Sequence, residues 1–128
     1  MRANQVFVAA LLFVVLGPAA CGGDSETSAD PGACEPSTEL TVITDDLVFD
    51  ADCYAAPADT PFTVTLVNDD VDPHAFSLYH DDGTPILKGP FVESGEQHTQ
   101  TFEPLDAGTY LFRCDIHPEM EGVFETTA

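Results

Sequence analysis

In the stretch 62–68, the apolar residues Phe62, Val64 and Leu66 alternate with Thr63 and Thr65. A period of two belongs to a strand with one side in a core and the other in water. Similar short runs at 40–44, 47–49, 74–79, 97–102, 109–114 and 122–126 also read as strands. Beyond Cys34 no run carries an apolar stripe at helical spacing. Most of the ten prolines and nine glycines fall between the runs, where turns need them. The pattern predicts an all-β sandwich or barrel. In Asp106-Ala107-Gly108-Thr109-Tyr110 a tyrosine closes a short corner, a setting in which its hydroxyl bonds nearby backbone.

The amino end breaks this pattern. Arg2 is followed by an apolar run over 6–16, too short to span a bilayer as a helix and suited to the core of a signal peptide. Leu16-Gly17-Pro18-Ala19-Ala20-Cys21 resembles a bacterial lipoprotein cleavage site, which implies lipid on Cys21. Pro18 departs from that pattern, and cleavage after Ala19 or Ala20 without lipid is the alternative. The expected division is a leader over 1–20, an acidic tether over 21–33 and one domain over 34–128. As a random coil the tether reaches roughly 20 Å. The product is exported, either held at a membrane in the cell envelope or secreted.

Charge narrows the function classes. The 128 residues carry 23 Asp and Glu against three Lys and Arg, a formal net charge of −20. With the leader gone, Lys88 and Arg113 are the only basic side chains. Nucleic-acid binding is excluded, because phosphate contacts need clustered cations. The carboxylates are spread along the chain, which fits a solubilising or salt-adapted surface better than steering toward a basic partner.

Four cysteines divide by chemistry. With Cys21 assigned to lipid and Cys114 to metal, Cys34 and Cys53 are left to pair in an oxidising compartment. The bond is expected to stabilise the domain by about 3 kcal/mol.

The segment Cys114-Asp115-Ile116-His117-Pro118-Glu119-Met120 carries the candidate chemistry. A thiolate, an imidazole and a thioether at C-x-x-H-x-x-M spacing suit copper, with Cys and two His in a trigonal plane and Met at long axial range. His74, in Asp72-Pro73-His74-Ala75-Phe76, is the candidate second imidazole. Strand alternation puts His74 in a row with Phe76 and Leu78, and Cys114 in a row with Tyr110 and Phe112. Two inward rows then end in ligands beside one tight loop. The bland alternatives are Cys114 as a small core residue, Met120 as packing and His117 as a surface residue. Beyond the leader, however, Met120 is the only methionine. His80, before Asp81-Asp82-Gly83, and His98, in a polar strand, read as solvated surface residues.

Together His74, Cys114, His117 and Met120 resemble the type 1 (blue) copper site of the cupredoxins. The short loop is most similar to that of amicyanin and of small plastocyanin-like bacterial lipoproteins. Phe112-Arg113-Cys114 before the loop and Glu121-Gly122-Val123-Phe124 after it fit the same pattern, and the resemblance spans about 39–126. It implies a Greek-key sandwich of about eight strands, one copper ion and one-electron transfer by a monomer. Related domains also serve in bacterial iron uptake, so fold alone does not fix the role.

Many cupredoxins carry Asn or Ser after the first His, fastening the two ligand loops; here that position is Ala75. Asp72 is a candidate substitute fastener, and Ala75→Asn is then expected to raise copper retention or thermal stability. Asp115, beside the thiolate, is expected to favour Cu(II). At roughly 8 Å its charge contributes about 0.5–2 kcal/mol, or ~20–90 mV.

The expected function is an electron carrier. His117 is the exit for the electron, and Pro73, Ile116 and Pro118 form an apolar rim where a redox partner docks. The alternative is a module that buffers or delivers copper, or a metal-uptake domain of the same fold. Catalysis is not expected, since cupredoxin enzymes need further copper centres and domains. A binuclear centre needs two loop cysteines, and zinc is poorly served by a thioether.

Overall fold

A computed structural model describes residues 34–128. The expected leader, the tether and Cys21 lie outside the described residues. Nine strands form: β1 (Glu39–Asp45), β2 (Val48–Phe49), β3 (Cys53–Pro57), β4 (Phe62–Asn68), β5 (Ser77–His80), β6 (Pro85–Leu87), β7 (Gln97–Phe102), β8 (Gly108–Arg113) and β9 (Glu121–Thr127). They build two sheets, ordered β2-β1-β4-β7 and β3-β9-β8-β5-β6. The β1–β4 and β3–β9 pairs are parallel and the others antiparallel. The fold is an all-β sandwich, as the alternation predicts. Among the described residues no helix is long and apolar enough to cross a membrane.

β4 shows why the sheets face each other. Its burial alternates strictly from Phe62 to Asn68, so every second side chain enters the interior. The core is largely aromatic: Phe62, Phe76, Phe102, Phe112 and Phe124 are each at most 2% exposed. Phe112 packs against Phe49, Tyr54 and Phe76 with ring centroids 5.2, 5.0 and 5.4 Å away. Opposite it on β9 lies Gly122. A Cβ there would stand 2.3 Å from the Phe112 ring and 2.4 Å from the Asp52 carbonyl, so only glycine fits. At the far corner, Tyr110 donates its hydroxyl to the Asp106 carbonyl at 2.7 Å, the expected tyrosine corner.

The nine strands agree with the expected sandwich of about eight, with β3 and β6 added to the seven runs read from the sequence. Two expectations need correction. The run over 74–79 is not one strand: His74 makes only an isolated bridge to Val92, and pairing with β8 begins at Ser77. Between β4 and β5 the chain crosses from one sheet to the other, so 74–76 spans the gap between them. In consequence every residue from His74 to Tyr79 is buried, and alternation there does not separate two faces.

Cys34 and Cys53 form a disulfide with Cα atoms 5.9 Å apart, joining the start of the described chain to β3. That separation is ordinary for such a bond.

Candidate metal centre

The site lies where β8 gives out. Cys114 follows its last residue, Arg113, and is fully buried. A tight loop then brings the chain back on itself. His117 N–H donates to the Cys114 carbonyl at 3.3 Å, and Met120 N–H to the His117 carbonyl at 2.8 Å. Cys114 N–H in turn donates to the Met120 carbonyl at 2.9 Å. These bonds fix both ends of the loop before any ion is considered, and Met120 is 3% exposed at its close.

His74 comes from the crossover, held by two backbone bonds with Val92: its N–H donates at 3.1 Å and its carbonyl accepts at 2.7 Å. The outcome is a convergence. Cys114 Sγ lies 3.7 Å from His74 Nδ1 and 3.7 Å from His117 Nδ1. The three ligating atoms all lie within 4.8 Å of one another, and the imidazole rings are 4.9 Å apart. His74 and Cys114 are fully buried, while His117 is partly exposed. His80 and His98 are exposed on β5 and β7, outside the cluster. Two imidazoles and a cysteine sulfur brought together in this way, with the Met120 thioether at the close of the same loop, are a donor set that would suit electron-transfer copper.

The fastening of the site differs from expectation. Ala75 is fully buried and its N–H donates to Cys114 Sγ at 3.4 Å, so the backbone supplies the link to the thiolate. Asp72 is exposed and contributes backbone: its carbonyl accepts from Asn68 Nδ2 at 2.7 Å. The two ligand segments are clipped instead through Asp115, whose carboxylate accepts the Ser77 hydroxyl at 2.7 Å and the Tyr79 hydroxyl. Arg113 adds a contact at 3.7 Å and lies 4.1 Å over the Tyr79 ring. Burial opposes the Asp115 charge, but the Tyr79 and Ser77 bonds outweigh it and hold its carboxyl below the usual range. Ala75→Asn is therefore expected to destabilise, contrary to the reading from sequence, because the larger side chain has no room. A cost of about 1–3 kcal/mol in chemical denaturation is predicted, and unchanged or raised stability would contradict the packing described.

Two residues essential to this geometry carry no motif. Asn68, fully buried at the end of β4, accepts the Thr44 hydroxyl at 3.0 Å and Asp70 N–H at 2.9 Å. Its amide also donates to the Val92 carbonyl at 2.9 Å. Asp70, 6% exposed, sets Oδ2 3.0 Å from His74 Nε2. The Leu47 amide, then the His74 ring and the Val71 and Asp72 amides, hold the Asp70 carboxyl well below the usual range despite its burial. The available signal was an acid four residues before a histidine in a polar turn.

A comparison with curated protein sequences finds no match. Solved structures do resemble the chain. Auracyanin from the photosynthetic bacterium Roseiflexus castenholzii is 21% identical, with 73% of this chain and 100% of that one covered at a TM-score of 0.66. Auracyanin A, a "blue" copper protein from Chloroflexus aurantiacus, is 19% identical over 73% and 100% of the two chains, TM-score 0.63. Amicyanin from Paracoccus versutus is 20% identical over 73% and 85%, TM-score 0.55. At these identities the likeness speaks for the fold. The family model for the cupredoxin-like domain matches residues 6–124, nearly the whole sequence. The chain belongs to the cupredoxin-like domain family.

Proposed function

We propose that this protein is an exported mononuclear copper protein that carries single electrons between redox partners, with His74, Cys114, His117 and Met120 as the ligands. The observation that carries the reading is one buried cysteine sulfur 3.7 Å from two imidazole nitrogens. Copper bound there supplies a one-electron couple between Cu(I) and Cu(II). The protein supplies a fixed frame. Backbone bonds close the 114–120 loop, and Asp115 ties it to β5, so the donor positions change little between oxidation states. Burial of Cys114 and His74 keeps water from the thiolate.

His117, the partly exposed ligand, is the route by which an electron leaves. Around it Ile116 is 41% exposed, Pro118 is exposed and Pro73 is half-buried, an apolar rim suited to a brief encounter. In the cell we place residues 1–20 as a leader, Cys21 as a lipidated amino terminus, 21–33 as a tether and 34–128 as the working domain. Cys34–Cys53 is then the structural disulfide of an exported protein, and catalysis forms no part of the role.

Buffering or delivering copper is the competing role, and it calls for exposed ligands; here two of the four are fully closed off and Met120 nearly so. Voltammetry of the copper-loaded protein separates the two roles. Fast, reversible one-electron waves with Cu(I) retained against a chelator are expected. Ready loss of Cu(I) to the chelator would favour delivery.

Asp115→Asn tests the electrostatics. Its carboxylate is already compensated by two hydroxyl donors and Arg113, so the reduction potential is expected to rise by only about 20–50 mV. Potentiometry showing no rise would remove Asp115 from the account.

A further inference from the structure

We propose that Asp70 is a positioning residue for the ligand His74: its carboxylate fixes which ring nitrogen bears the proton and selectively stabilises the oxidised site. The inference rests on the copper reading above, but its first consequence belongs to the metal-free protein.

Three backbone N–H groups donate to the Asp70 carboxylate, and the fourth polar contact is the His74 ring. Oδ2 takes Leu47 N–H at 2.7 Å and faces His74 Nε2 at 3.0 Å; Oδ1 takes Val71 N–H at 2.6 Å and Asp72 N–H at 3.5 Å. A carboxylate so surrounded only accepts, so His74 Nε2 is the donor in its neutral ring. Nδ1 is then left with its lone pair directed at the space shared with Cys114 Sγ, 3.7 Å away. A carboxylate behind a ligating imidazole also increases that ring's basicity. The added negative charge favours the more positive metal state.

The Leu47 amide reaches this carboxylate from a left-handed turn. Asp46 and Leu47 have φ of 49° and 60°, a conformation costing roughly 1–2 kcal/mol per non-glycine residue. The turn joining β1 to β2 thus presents an amide to the group that orients His74. That bond links the edge of one sheet to the metal end of the sandwich.

The test uses nitrogen-15 NMR of the histidines in metal-free wild-type protein, above the ordinary imidazole titration range, and then in Asp70→Asn. Wild type should show His74 as a single Nε2–H tautomer with a slowly exchanging proton. In Asp70→Asn the exchange should quicken and the Nδ1–H form appear. With copper, the variant should lose about tenfold in Cu(II) affinity relative to Cu(I), a rise of ~59 mV for a one-electron couple. A wild-type His74 carrying its proton on Nδ1 would overturn the proposal even if the variant fails to fold. A folded variant with unchanged tautomer and potential would overturn it too. Failure of the wild-type protein to form a blue centre would remove the copper reading, while the tautomer result would still decide the role of Asp70 in the apoprotein.

Discussion

Phe112→Ala is expected to lower the unfolding free energy by about 3–5 kcal/mol, the usual cost of emptying a closed aromatic site. Phe112 is fully buried, with Phe49, Tyr54 and Phe76 around it and Gly122 stripped of a side chain to admit it. None of these neighbours can collapse far, because Phe76 and Gly122 belong to segments fixed by other contacts. For a domain of this size the melting temperature should fall by roughly 15–30 °C. Phe112 also stands two residues before Cys114 on the same inward row, so copper affinity should fall with stability. Chemical denaturation of the disulfide-intact protein reads the effect. A loss below about 1 kcal/mol would mean that the core tolerates a void where the structure shows none.

Cys114→Ser should have the larger consequence for function and the smaller one for folding. The substitution removes the soft, charged ligand and keeps almost the same volume, and Ala75 N–H can still donate to the new oxygen. The intense visible absorption and the one-electron wave should both disappear, while the far-ultraviolet spectrum of the β-sandwich persists. Cu(II) bound by the remaining imidazoles would be weakly coloured. A variant that stays strongly coloured would place the chromophore elsewhere.

The sequence carried much of this architecture, and the failures have physical causes. β4 lies where the alternation put it, because it has one buried and one open side and the period of two is visible. β7 is almost wholly polar and exposed, with only Phe102 buried, and was bounded by its flanking turn residues instead. β3 was missed because Tyr54, Ala55 and Ala56 are all buried between sheet neighbours and cover, which erases alternation. β6 is three residues long and begins at a proline. The gathering of His74, Cys114 and His117 was legible because spacing within one loop fixes two of them, and a histidine before an apolar run offered the third. Asp70, Asn68, Ser77 and Tyr79 were not, since hydrogen-bonded support depends on which segments meet in space. Ala75 shows the hazard of reasoning from an absent side chain: the backbone amide and Asp115 had taken over its task.

The central claim is that one sulfur, Cys114 Sγ, and two imidazole nitrogens hold a single copper ion. Optical and electron paramagnetic resonance spectra of the Cu(II)-loaded, disulfide-intact protein test it most directly. The account predicts an intense thiolate-to-copper absorption in the visible range and a narrow copper hyperfine splitting, both lost on one-electron reduction. A protein that binds Cu(II) yet stays nearly colourless, with the wide splitting of ordinary tetragonal copper, would contradict it.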